Sequence, residues 1–112
     1  MKDLGAILAQ KQLDAYNKQD LDAFLSVYSE DVLIMEFPTN TVTTQGIDEM
    51  RQRYGKLFKE NPYNHAELLS RIVIGNKVID HELVTGRIVR VDKKAVAIYE
   101  ISDEKIVKVW FM

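Results

Sequence analysis

Four apolar runs crowd the C-terminal half of the chain: Ala66–Ile74, Val78–Val91, Ala95–Ile101 and Ile106–Met112. Gly75-Asn76, Asp92-Lys93 and Asp103-Glu104 break them. Short apolar runs divided by turn-forming dipeptides predict an antiparallel meander. The N-terminal half carries helical spacing instead. Over Asp3–Asn17, Leu4, Ile7, Leu8 and Ala15 form one stripe and Ala9, Leu13 and Tyr16 a second. Gln12 falls between the stripes, which turns its amide toward the interior. Asp20 is placed to cap a second helix that buries Leu21, Phe24, Leu25 and Tyr28. A strand over Val32–Phe37 ends at Pro38, which has no N–H to give a ladder. Gly46 opens a third helix, in which Ile47, Met50, Tyr54, Leu57 and Phe58 keep the period until Asn61-Pro62 stops it. Three N-terminal helices packed on a strongly curved, mainly antiparallel sheet make an α+β fold, a cone-shaped half-barrel with a hollow interior, spanning residues 1–112 as one domain.

The turns set a register. A two-residue loop at Gly75-Asn76 pairs Ile74 with Lys77, Arg71 with Asp80 and Leu69 with Glu82. Glu67, Arg71, Asp80 and Glu82 then share one face, and Leu68, Ser70, Ile72, Ile79, His81 and Leu83 the other. The same count from Asp103-Glu104 sets Tyr99 against Lys108 and Ala97 against Trp110. A single β-bulge would invert such an assignment. Both faces of the last strands are apolar. The helices cover one, and a second copy of the chain covers the other, so a homodimer through the outer sheet face is expected.

Composition narrows the function classes. With 112 residues and 46% hydrophobic, the chain can bury a real core. A net charge of −2, with both signs scattered, argues against nucleic acid as a partner. The absence of cysteine removes disulfides, thiolate catalysis and cysteine-based zinc sites. His65 and His81 stand too far apart for a zinc motif, so no metal is expected. Gly46, Gly75 and Gly86 belong to no phosphate-cradling loop, which leaves no support for a nucleotide or other cofactor. No apolar run reaches the roughly 18 residues of a membrane span, and MKDLGAILAQKQ lacks the long apolar stretch of a signal peptide. A cytoplasmic location is the corresponding expectation.

Asn17–Phe37, NKQDLDAFLSVYSEDVLIMEF, resembles the helix–helix–strand opening of the SnoaL-like group in the nuclear-transport-factor-2-like superfamily. Arg71–Arg87 (RIVIGNKVIDHELVTGR) and Ala95–Phe111 (AVAIYEISDEKIVKVWF) are similar to a bacterial subgroup labelled steroid delta-isomerase-like. The resemblance covers almost the whole chain and implies a cystatin-like roll. Its members include isomerases, cyclases, dehydratases, epoxide hydrolases and non-enzymatic binding domains, so the fold alone does not select a reaction. Matched to the ketosteroid isomerases, Glu36 falls where they carry an acidic general base. Their tyrosine donor falls on Gln12 and their protonated aspartate on Ala97. The resemblance thus implies a base without the two strong oxyanion donors that enolate stabilisation requires, and ketosteroid isomerase activity in the strict sense is not expected. Tyr99, on the same face as Ala97, is a replacement donor.

The residues themselves offer three acid–base candidates. Glu36 follows Val32–Met35 and precedes Phe37, an apolar setting that suits a desolvated base; the plainer alternative is an exposed strand-end carboxylate. Asp80, opposite Arg71 with Glu82 beside it, forms the densest polar group. Facing the cavity, Arg71 would bind a carboxylate or carbonyl, or hold Asp80 in place; facing solvent, the pair is a surface bridge contributing less than about 1 kcal/mol. His81 is an acid–base candidate if a bulge turns it inward, and otherwise a packed or interface histidine. Among the aromatic residues Tyr54 and Trp110 are foremost for ligand contact. The resulting expectation is a cofactor-independent isomerase, cyclase or lyase acting on a small, largely apolar organic molecule. Glu36, Asp80 and His81 are its candidate catalytic groups, and Gln12, Tyr54, Arg71, Glu82, Tyr99 and Trp110 its substrate contacts. A non-catalytic ligand-binding or dimerisation module, and an epoxide-hydrolase-like enzyme in which Asp80 and Glu36 polarise water, are the alternatives.

Overall fold

The computed structural model describes residues 3–88 and 91–112. The Asp3 carboxylate accepts from the Gly5 and Ala6 amides at 3.0 and 3.3 Å, satisfying donors that a helix start leaves bare, and so opens α1 (Leu4–Lys18). Asp20 caps α2 (Leu21–Leu25) as expected, but this helix lasts only 5 residues. The chain is already extended at Tyr28, so β1 (Tyr28–Glu36) starts there and not at Val32, and Tyr28 is a strand residue. A short strand absent from the sequence reading follows, β2 (Thr41–Gln45). Its segment TVTTQ has no apolar run, and only Thr44 is buried. In α3 (Gly46–Glu60) the Glu49 carboxylate accepts from the Gln45 N–H at 2.8 Å, the backward half of a capping box. The expected meander is present as β3 (His65–Ile74), β4 (Lys77–Thr85), β5 (Lys93–Ser102) and β6 (Lys105–Phe111). Val89 and Arg90, near the end of the expected Val78–Val91 run, lie outside the described residues.

The strands form one curved six-stranded sheet in the order β2-β1-β6-β5-β4-β3. Only β1 and β6 run parallel. The helices cover one face. Phe24 is the centre of that layer, its ring 4.8 to 5.9 Å from those of Tyr16, Tyr28, Tyr54 and Phe58, separations that favour tilted and edge contacts. Asn17, near the end of α1, grips the backbone of the edge strand β3: its amide nitrogen donates to the Ala66 carbonyl at 2.9 Å and its oxygen accepts from the Ala66 N–H at 2.8 Å.

Two bulges correct the register. Ile74 pairs with Lys77 and Arg71 with Asp80 as counted. Leu69, however, is an extra residue on β3, so Leu68 and not Leu69 faces Glu82. Leu68 thereby turns inward onto Leu13, Ala66 and Val84, and Glu67 is expelled to solvent. On β6 Val107 is the extra residue. Tyr99 therefore faces Val109, Ala97 faces Phe111, and Trp110 pairs with Ile98 on the outer face. That outer face carries a row running straight across four strands, Ile72, Ile79, Ile98 and Trp110. No described helix is long and apolar enough to cross a membrane.

Candidate functional site

The concave side of the sheet and the helices enclose a cavity of about 400 Å³. Strand pairing explains why it is hollow. Glu82 lies opposite Ala95. A methyl group therefore stands where a larger side chain would close the space, while the rings of Tyr16, Phe24, Tyr28, Tyr54 and Phe111 form much of the wall.

Glu82 reaches this cavity from β4 and is 7% exposed. Burial pushes its carboxyl up to about 7, the nearby Asp80 adds to the effect, and Arg71 opposes it. A group in that range exchanges a proton readily at neutral pH. Beside it lies a hydrogen-bonded set on α1, β1 and β5. The Gln12 amide nitrogen donates to the Ala9 carbonyl at 3.0 Å and to the Tyr99 hydroxyl at 2.9 Å, while its oxygen accepts from the Tyr28 hydroxyl at 3.1 Å. Burial, above all, raises Tyr28 and Tyr99 well beyond the usual phenol range, and holds Tyr54 at about 12. All three phenols keep their protons at neutral pH.

The mouth has a different character. Arg53, Lys56 and Glu60 come from α3, Arg87 from the segment after β4, and Lys93 from the start of β5. Arg87 is tied down by neutral partners. Its Nε donates to Asn64 Oδ1 at 2.9 Å and its Nη2 to the Tyr16 hydroxyl at 3.2 Å. Gly86 makes this reach feasible. It adopts φ +79°, and a Cβ there would collide with the Tyr63 carbonyl, so only glycine lets the end of β4 lie against the Tyr63–Asn64 backbone.

Of the residues proposed from sequence, Gln12, Tyr54, Glu82 and Tyr99 line the cavity. Arg71 and Asp80 do not. Their guanidinium and carboxylate make a two-pronged bridge of 2.7 and 2.9 Å, with Asp80 fully buried and Arg71 Nη1 donating to Gln10 on α1 at 3.1 Å. The pair is a buried brace between sheet and helix, not the surface bridge of the plainer reading. Three expectations are corrected outright. Glu36 is exposed at the end of β1 and lines no cavity: its register, opposite Phe111, puts it on the face of Ile34, but the strand ends there and its carboxylate stands in solvent. The water-polarising couple of Glu36 and Asp80 is therefore not assembled. His81 lies on the outer face between Ser70 and Val96, since the β3 bulge leaves its register unchanged. Trp110 is turned outward by the β6 bulge and donates from Nε1 to Asn40 at 2.8 Å. The bulge brings Phe111 to the cavity in its place. Arg53 and Arg87 were not singled out by the sequence reading; a glycine followed by arginine at the end of an inward-facing strand was the one signal available for Arg87. Among the described residues no group of three histidine or acidic side chains is arranged to hold a metal ion.

The family model for the SnoaL-like domain matches residues 9–109. Similar solved structures include a cystatin-fold protein from Novosphingobium aromaticivorans, 26% identical, with a TM-score of 0.89 and 96% of this chain and 97% of that one covered. A candidate polyketide cyclase from Sinorhizobium meliloti is 20% identical, with a TM-score of 0.81 and coverages of 94% and 93%. A protein of ketosteroid isomerase-like fold from Catenulispora acidiphila is 10% identical, with a TM-score of 0.79 and coverages of 94% and 83%. No curated protein matches the chain.

Proposed function

Because the chain belongs to the SnoaL-like domain family, within the nuclear-transport-factor-2-like superfamily, we propose that its cavity performs cofactor-independent proton transfer on a small, largely apolar carbonyl compound, as an isomerase, cyclase or lyase. Glu82, and not Glu36, is the base in this reading. Its carboxylate takes a proton from the carbon beside the substrate carbonyl, the electron pair moves into an enolate, and the Tyr99 hydroxyl donates a hydrogen bond to the enolate oxygen. The proton returns from Glu82 to a second carbon in an isomerisation. In a cyclisation the enolate carbon bonds to a second carbonyl carbon, whose π bond opens and whose oxygen takes the proton from Glu82. In an elimination the enolate reforms the carbonyl as the bond to a leaving group on the adjacent carbon breaks, and Glu82 gives its proton to that group. The observation that carries the reading is a buried carboxyl group on the wall of a cavity lined by aromatic rings, poised near neutrality by burial. Preorganised donors beside such a base supply the electrostatic stabilisation that enolate formation needs.

The test is hydrogen–deuterium exchange at the α-carbon of a panel of small apolar ketones, followed by NMR in D₂O. The protein is expected to accelerate exchange with a rate that climbs through pH 7, and Glu82→Gln to abolish the acceleration. Equal exchange by the variant would remove Glu82 from the role. Ketone binding without exchange by either protein would reduce the cavity to a binding module.

The same reading includes a homodimer. The row Ile72, Ile79, Ile98 and Trp110 on the outer face supports it, with Ile72 54% exposed and Ile74 66% exposed beside it. Apolar surface of this kind is stabilised by a second copy.

A further inference from the structure

The mouth of the cavity concentrates positive charge that the chain as a whole does not have. Arg53, Lys56, Arg87 and Lys93 surround it against the single carboxylate of Glu60, in a protein whose net charge is −2. The arginines are held there by neutral oxygens. Arg53 donates from Nη1 to the Thr44 and Thr43 hydroxyls at 2.6 and 3.2 Å, and Arg87 donates to Asn64 and Tyr16. Elsewhere Arg51, Arg71 and Lys77 each have a carboxylate partner. Among the described residues no carboxylate lies within ion-pair distance of the four mouth cations. Arg87 is the most constrained of them. Its Nε and Nη2 are occupied on one edge, which fixes the plane of the guanidinium and leaves the Nη1 edge to meet a ligand. A planar fork held in this way matches a carboxylate. Lys93 is directed to the same place by register, since it pairs with the inward-facing Val84.

We infer that the cavity takes a carboxylate-bearing aromatic molecule, its anionic group held at the mouth by Arg87 and its ring lying among Tyr16, Phe24 and Tyr54. This names a substrate class for the proton-transfer site and rests on that reading for its functional meaning. Its test is equilibrium binding, which requires no turnover. Cations paired with a carboxylate would offer a ligand little, whereas cations held by hydroxyl and amide oxygens keep their full charge for it. The aromatic wall supplies the area that binds the rest of the molecule.

The experiment is calorimetric titration of the full chain with 2-naphthoate, methyl 2-naphthoate and 2-naphthyl phosphate. The acid is expected to bind about tenfold or more tightly than its methyl ester, in line with a hydrogen bond to a charged group. Arg87→Gln should erase that preference, while Glu82→Gln should keep it. Loss of proton exchange in Glu82→Gln together with retained naphthoate binding thus separates the two readings. Equal affinity for acid and ester, or an undiminished preference in Arg87→Gln, overturns the inference. Tighter binding of the phosphate than of the carboxylate overturns the assignment to carboxylates. If Arg87→Gln does not fold, the doubly substituted Lys56→Gln/Lys93→Gln protein decides. Its naphthoate affinity should fall several-fold with the ester unaffected, and no change there counts against the inference.

Discussion

The Gln12 amide nitrogen donates to the Tyr99 hydroxyl, and this bond settles which way the phenol points its own proton. The other amide hydrogen is committed to the Ala9 carbonyl, which can only accept. The amide therefore cannot turn over. Tyr99 must accept from Gln12, and Tyr28 must donate to the Gln12 oxygen. The Tyr99 O–H is thus not spent on Gln12, and Tyr99 lines the cavity. In the proposed reading, the donor that the family's tyrosine supplies from the position of Gln12 is supplied instead by Tyr99 on β5.

Tyr99→Phe removes that donor with little loss of volume. Exchange catalysed on a bound ketone is expected to fall by about 100- to 1000-fold, following the scale for loss of one oxyanion donor. The Michaelis constant should change far less. Stopped exchange assays across substrate concentration separate the two.

Stability should depend on pH through Glu82. Its ordinary value is 4.5 and its value in the fold about 7. Between these the folded protein holds a proton that the unfolded chain has released, so stability declines as pH rises through that window and stays lower above it. Glu82→Gln removes the penalty. The variant should exceed the parent by roughly 3 kcal/mol at pH 8 and match it near pH 4. Urea denaturation at the two pH values measures this, and a parent at least as stable as the variant at pH 8 would contradict it.

The brace under α1 should behave as a unit. Arg71→Met leaves the fully buried Asp80 carboxylate without its partner and is expected to cost about 3–5 kcal/mol. Replacing both, as Arg71→Met with Asp80→Leu, should recover most of that loss. A double-mutant cycle by chemical denaturation gives the coupling, and strictly additive losses would show that the two side chains do not depend on each other.

Ile79→Glu places a charge in the middle of the outer apolar row. Sedimentation velocity is expected to show a dimer for the parent and a monomer for the variant, with far-UV circular dichroism unchanged. A monomeric parent would refute the interface.

Legibility followed physical cause. The helices of the first sixty residues announced themselves by period and by the capping residue Asp20, and the meander by its turns. Counting from Gly75-Asn76 paired Arg71 with Asp80 correctly because no irregularity intervenes. The count failed beyond Leu69, since an extra residue on a strand leaves no mark in composition. β2 was illegible because its pairing rests on backbone bonds while its side chains, Val42 apart, are polar. Glu36 misled because it is the last residue of β1: the apolar run before it is covered, but the cover ends one residue short of the carboxylate. Helical spacing pointed to Gln12 and Tyr54, the turn count put Glu82 in the densest polar group, and the family resemblance turned Tyr99 inward; all four line the cavity.

Val107 is one residue without a partner, yet it decides that a benzyl group and not an indole looks into the chamber. The consequence reaches beyond this chain. In a homologue lacking that insertion, the same alignment column would lie on the opposite surface, so two proteins with matching letters could have unlike interiors. Function transferred between such relatives by column alone would compare a ligand's wall with a protomer's exterior.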